Sequence, residues 1–425
     1  NYLGEFSDAY ISRRHKTEWG EALNFDGERC QGVREFVLSN VRHWIAEYHL
    51  DGLRLDATHS IYDDSSPHIL AEVGEVARDV AREGGAARGV IVVAENEPQD
   101  PRIARRRDRG GYALDGLWCD DFHHAAIVAA GGKREAYFTD YRGSAQELVS
   151  AVKYGILYQG QYYRWQKKRR GTVAWDVPPR AMTFYLENHD QVANTRDGRR
   201  LHQLTSPGRY RALAALLLLA PQTPLLFQGQ EFGASAPFLY FADHNPDLAK
   251  LVRQGRGEFL AQFPSIGDGN GHLALDDPAA RETFERSRLD LGERQRNAAH
   301  YRLYRDLIAL RRCDPVLSRA AMAEDTTRID GAVLSDHAFV IRYFATDGND
   351  RLLVVNLGRD MSLDVVPEPL LAPPDPEEGW QRLWHSEEDC YGGRGAAPLE
   401  TEDKDKVIAW RIPAESATLL GRDAE

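Results

Sequence analysis

Three stretches of this chain set ionisable side chains where an apolar run ends. DGLRLDATHS carries Arg54, Asp56 and His59, GVIVVAEN carries Glu95, and TFYLENHD carries His189 and Asp190. In an extended strand Arg54 and Asp56 point to the same face, so the guanidinium offsets the cost of holding a carboxylate in a partly apolar setting. Pairing of that kind keeps Asp56 ionised, as a nucleophile must be. Glu95 ends an apolar run, where a carboxyl tends toward a raised pKa that suits a proton donor. With Asp190 as a third negative group, this is the equipment of glycoside hydrolysis through an oxocarbenium-like transition state, which needs no metal or organic cofactor. Each motif alone says little, since Arg-x-Asp in a strand is commonly an ion pair at a sheet end. The reading rests on order and place, three carboxylates at the ends of different strands.

The elements that must position them follow from periodicity. Between Cys30 and Leu50 the residues Val33, Phe36, Val37, Val41, Trp44, Ile45 and Tyr48 recur at three- and four-residue spacing, which predicts an amphipathic helix. The short strand LDGLRLDA comes next. A helix pattern over Ile69 to Ala81 leads through EGGAARG to VIVVAEN, followed by LDGLWCDDF, RAMTFYLENHD and QTPLLFQGQE, with helical patterns such as Gly208 to Leu219 between them. Strands alternating with helices, each apolar at its start and polar at its end, describe a parallel sheet covered by helices. Five such units up to Glu231 fit a (β/α)8 TIM barrel better than a doubly wound sheet, whose glycine-rich phosphate loop follows none of these strands. An irregular stretch over about 232–297 reads as a barrel insertion, and Arg296 to Cys313 as the closing helix. Beyond about Pro315 the segments HAFVIRYFA, RLLVVNLG, WQRLWHS, KVIAWRI and ATLLGR are short strands without intervening helices. The expected fold class is therefore α/β, a catalytic barrel over 1–314 followed by an antiparallel β-sandwich domain over 315–425.

Composition narrows the partners. The 425 residues carry 65 acidic against 53 basic side chains, a net charge of -12. A surface of that sign repels phosphate backbones, which argues against nucleic acid. The longest apolar run, ALAALLLLAP, falls short of the roughly 18 residues of a membrane span and predicts one buried helix. Cys30, Cys119, Cys313 and Cys390 lie far apart without CxxC spacing, which points to a reduced, cytoplasmic compartment and no zinc site. The opening NYLGEFSDAY has neither a start methionine nor a leader pattern, and so reads as the interior of a longer polypeptide.

The strings DGLRLDATH, VVAEN and LENHD resemble signature regions of the α-amylase superfamily of glycoside hydrolases. Within it DGLRLDATHSI, AENEPQDPR, GLWCDDFHHA, ENHDQVAN and PFLYFADHN are similar to the subfamily of trehalohydrolases that act on maltooligosyltrehalose. The resemblance covers nearly the whole chain. It implies Asp56 as nucleophile, Glu95 as general acid and then base, and Asp190 as the stabiliser of the transition state, with His189 beside it and Arg54 orienting Asp56. It also implies substrate contacts at Leu55, His59, Asp120, Asp121, Phe122, His123, His124 and from Gln191 to Asn194. For His123 and His124 a capping or core role stands beside sugar contact. Trp118, Phe122, Phe238 and Tyr240 are candidates for stacking on glucose rings or for plain packing, and Glu231 for support of the site. The family carries a β-sandwich and three further barrel strands ahead of the region that this chain covers. The expectation is thus an incomplete barrel, its first three strands missing, completed by an amino-terminal segment of the same protein or by an associated chain. The implied substrate is maltooligosyltrehalose or a related α-glucan. The competing readings are a general α-amylase or branching enzyme of the same superfamily, and a non-catalytic carbohydrate-binding scaffold.

Overall fold

A computed structural model describes residues 3–17, 20–83, 89–195, 197–266, 276–322, 328–364, 366–377, 379–402 and 408–422. The chain divides into two compact units, Asn1–Asp120 with Tyr158–Tyr162 and Arg169–Thr183, and Asp121–Leu157 with Tyr163–Lys168 and Phe184–Glu425.

The first unit is built on short parallel strands. Gly52–Leu55 pairs with Ile91–Ala94, that strand with Gly116–Trp118, and the last with the start of Met182–Tyr185, in the register Leu53 to Val92, Val93 to Gly116 and Trp118 to Thr183. Gly52 is required by this approach, because a Cβ there would lie 1.9 Å from the Ile91 carbonyl oxygen. The predicted helices are present as Cys30–Arg42, which runs on into a π-helical turn at His43–Glu47, and Ile69–Glu83. The second of these buries Ile69, Leu70, Val73, Ala77 and Val80, the stripe of a one-sided helix. Unforeseen is an antiparallel hairpin of Ile11–Thr17 with Gly20–Leu23.

In the second unit the strand Met182–Tyr185 has Thr223–Leu225 as its neighbour. ALAALLLLAP falls in the helix Pro207–Leu219, capped by Ser206 through the Arg209 amide and started by Pro207. All but two of its residues are buried, which is what an apolar sequence on every face demands. The expected closing helix is Ala298–Cys313.

Two expectations are corrected. The insertion over about 232–297 is not irregular throughout: Pro246–Leu260 is a helix of 15 residues, announced by Asn245 as N-cap and Pro246 in the first turn. Part of that insertion, 267–275, lies outside the described residues. The C-terminal region opens on a helix, Pro315–Ala321, capped by Asp314, whose Oδ1 accepts from the amides of Val316 and Leu317. Both helices carry Pro at their start, a signal that composition by itself hides.

The strands beyond this helix pair in antiparallel fashion. Ile329–Ser335, Ala338–Tyr343, Arg351–Asn356, Ser416–Gly421 and Gln381–His385 form one sheet in that order, and Met361–Leu363, Ile408–Ile412 and Glu400–Glu402 a second. Val340, Leu352, Val354 and Leu420 of the first sheet share a buried cluster with Trp410 and Ile412 of the second. A parallel sheet with helices followed by an antiparallel one is thus the observed order of the chain.

Candidate active site

In the first unit the strand Gly52–Leu55 delivers Arg54 and ends at Asp56, while Ile91–Ala94 ends at Glu95. One guanidinium serves both acids. Arg54 Nη1 pairs with Asp56 Oδ1, and Arg54 Nη2 lies 3.1 Å from Glu95 Oε2. The guanidinium itself sits 4.6 Å over the ring of Trp118, so that aromatic packs under the arginine and its stacking role is spent on the cation. Glu95 is fixed further by its own surroundings. Its Oε2 accepts the Ala57 amide at 2.9 Å, and its carbonyl accepts both the amide and the hydroxyl of Thr58, at 3.0 and 2.6 Å.

Ala57 adopts a positive φ of 43°, a strained conformation for a residue with a side chain. That strain turns the chain sharply after Asp56 and aims the Ala57 amide at Glu95. Asp56 is exposed, with three quarters of its side chain accessible, while Glu95 and Arg54 are about a quarter exposed. Burial raises the Glu95 pKa above the ordinary carboxylate value, and the nearby Asp56 charge raises it further, against the lowering effects of the Ala57 amide and Arg54. An exposed carboxylate beside a protonatable one is an arrangement for nucleophile and proton donor. Leu55 and His59 are partly buried, His59 in the turn Thr58–Ser60. Asp120 lies 3.4 Å from Arg170, whose Nη1 also donates to Glu97 at 2.9 Å. Arg170 is fully buried and was not foreseen; the run KKRRG gives no spacing that would distinguish it.

In the second unit Asn188 caps the short helix His189–Ala193, accepting the Gln191 amide at 2.8 Å. His189 and Asp190 are therefore held on its first turn and remain about half exposed, with Nε2 and Oδ2 3.4 Å apart. Asn194 follows the helix and accepts from Arg256 Nη1 at 2.8 Å, while Arg256 Nη2 donates to the Ala193 carbonyl at 3.0 Å. Arg256 lies 4.7 Å over Tyr240, so that candidate stacker is likewise taken by a cation. Arg256 comes from the helix Pro246–Leu260 and was missed because that segment was read as irregular. Gln191 accepts from Tyr137 at 2.8 Å.

The side chains from Asp121 to His124, for which the resemblance implies sugar contact, are buried in this unit. Asp121 is fully buried and its two oxygens accept from Tyr141 at 2.5 Å and from the Leu157 amide at 2.6 Å. Phe122 is fully buried and stacked on Phe184 with ring centroids 4.2 Å apart. His124 is buried among the rings of Tyr137, Phe138 and Tyr141. His123 is buried too; its Nδ1 faces the Leu186 carbonyl at 2.9 Å, and burial lowers its pKa to about 4, which keeps it neutral. Four consecutive residues point to every side of a helix, and they are all buried because this apolar helix is covered all round. Phe238 packs edge-on against Phe227 and Phe241, and Glu231 lies 3.9 Å from Arg294.

Among the described residues one set of metal-type ligands comes together, His15, Asp26 and Asp64, with ligand atoms within 4.8 Å of one another. Arg14 at 2.5 Å already offsets the Asp26 charge, which disfavours a cation there. No helix among the described residues is long and apolar enough to cross a membrane.

Residues 327–402 match a family model described as a domain of unknown function, DUF3459. The chain is 37% identical to the malto-oligosyltrehalose trehalohydrolase of Deinococcus radiodurans over 85% of its own length and 57% of that protein. It is 35% identical to the enzyme of the same name from a Rhizobium species, over 86% and 59% of the respective lengths. The chain therefore spans a little under three fifths of these curated relatives. Among solved structures, a putative α-amylase from Salmonella typhimurium aligns with 99% of the chain and 65% of its own, at a TM-score of 0.79 and 28% identity. A pullulanase from an Anoxybacillus species, at 14% identity and a TM-score of 0.53, shows the same fold. In sequence the chain is thus similar to the malto-oligosyltrehalose trehalohydrolases, and in fold to α-amylase-type enzymes, over most of its own length.

Proposed function

We propose that this protein is a retaining glycoside hydrolase that cleaves the α-1,4-glucosidic bond next to the terminal trehalose of maltooligosyltrehalose and releases trehalose. The observation that carries the reading is the pair Asp56 and Glu95 under one guanidinium, with the Glu95 pKa raised by burial. Asp56 attacks the anomeric carbon while Glu95 donates its proton to the departing glycosidic oxygen. Glu95, now a base, then takes a proton from water, which displaces Asp56 and leaves the anomeric configuration unchanged. Asp190 is assigned to stabilising the positive charge that develops on the sugar. The same reading takes the parallel sheet to an eight-stranded barrel, with strands supplied from outside the five of this chain, which the partial coverage of the relatives supports. It assigns the region beyond about residue 315 to a separate β-sandwich domain, and a reducing, cytoplasmic setting fits four unbridged cysteines.

The test is release of trehalose from maltotriosyl-trehalose, compared with the rate on starch. Efficient starch hydrolysis without trehalose release would replace this function by a general α-amylase. Substitution of Asp56→Asn should lower kcat by several orders of magnitude with the fold intact; an unimpaired variant would remove Asp56 from the mechanism.

A further inference from the structure

The helix that carries Asp190 is too short to hold its own shape. His189–Ala193 is five residues long, and isolated helices below about 12–15 residues are marginal in water. Its N-terminal end is fixed by the Asn188 cap and by Gln191, which accepts from the Tyr137 hydroxyl at 2.8 Å. Its C-terminal end presents carbonyls that the helix itself cannot satisfy. Arg256 reaches that end: Nη2 donates to the Ala193 carbonyl at 3.0 Å and Nη1 to Asn194 Oδ1 at 2.8 Å. The Asn194 amide in turn donates to the carbonyl of Asp190 at 2.8 Å. Two hydrogen bonds and the Asn194 residue between them therefore join the guanidinium to the backbone of Asp190.

Arg256 is itself held in place. It projects from a helix of 15 residues, Pro246–Leu260, and its guanidinium lies 4.7 Å over the ring of Tyr240. Burial lowers its pKa, while Tyr240 and the Asp190 carboxylate act to raise it, so the charge of Asp190 is felt at the guanidinium. A planar fork with two donors on two different acceptors fixes orientation as well as distance, which a single point charge does not. The Asp190 side chain, by contrast, is about half exposed beside His189, and its direction follows the backbone that carries it.

We propose that Arg256 is a positioning residue for the reaction: it braces the turn His189–Asn194 from its C-terminal end and so sets the direction of the Asp190 carboxylate, without touching the sugar. The inference rests on the assignment of Asp190 as the group that stabilises the developing positive charge. An arginine with a merely structural role would instead lower the stability of the protein and leave kcat per folded molecule intact.

Trehalose release from maltotriosyl-trehalose is measured with the full protein and with Arg256→Met, Asp190→Asn and the double variant. Misplacing a catalytic group by about 1 Å can cost about 100-fold, so Arg256→Met should lower kcat by about 10- to 100-fold with KM little changed. In the Asp190→Asn background the same substitution should cost less than about twofold, since the group it positions is already gone. Arg256→Lys keeps a charge and one donor nitrogen; it should recover part of the loss, and it keeps the comparison valid if Arg256→Met impairs folding. Equal losses in the two backgrounds, a raised KM with kcat intact, or a loss of stability alone would overturn the proposal and leave Asp190 in its role. A kcat unaffected by Asp190→Asn would overturn that role, and the proposal with it.

Discussion

Arg54 is the group on which the division of labour between the two acids depends, and Arg54→Gln isolates it. At 3.1 Å a unit charge pair is worth about 5 kcal/mol at an effective dielectric near 20 and about 1.3 kcal/mol in bulk water. Both side chains are about a quarter exposed, so solvent screens much of the larger figure, and about 2 kcal/mol is a reasonable working value. Arg54 acts to lower the Glu95 pKa, so its removal raises it. The sign is fixed by the reaction: Glu95 must be protonated to donate, and activity falls as pH rises through its pKa. The alkaline limb of the kcat/KM profile should therefore move upward in Arg54→Gln. Peak activity should fall at the same time, because Asp56 loses the partner that orients it. The assay is trehalose release across pH, with circular dichroism to confirm the fold. An alkaline limb that stays in place or moves downward would refute the assignment of Glu95 as the acid tuned by Arg54.

Two further substitutions probe the parts that support the site. Phe122→Ala should cost about 3–5 kcal/mol in urea unfolding, because the ring is fully buried against Phe184; a raised KM with unchanged stability would instead restore Phe122 as a sugar contact. Arg211→Ala should cost about 3–5 kcal/mol, since both oxygens of the nearly inaccessible Glu387 accept from that guanidinium at 2.7 and 2.8 Å and would lose their principal partner; a loss below about 1 kcal/mol would show that Arg394, 3.2 Å from Glu387, suffices alone.

The sequence by itself determined the alternation of strands and helices, the change to antiparallel strands near the end, and Asp56, Glu95 and Asp190 as the acids to examine. These were legible because apolar periodicity and strand-end charge are local properties, carried by residues within a few positions of each other. The helix Pro246–Leu260 carries its start signal in Asn245 and Pro246, which the reading of about 232–297 as irregular passed over. Only tertiary structure decided what each polar or aromatic residue near the acids touches. Trp118 and Tyr240 are claimed by Arg54 and Arg256, and Asp121 by Tyr141 and the Leu157 amide. Ala57 closes over Glu95 across 38 residues, and Arg256 reaches Asn194 across 62. Burial and pairing are set by partners distant in the chain, so a side chain's type announces what chemistry it can do, while its neighbours in space decide whether that chemistry is free to act.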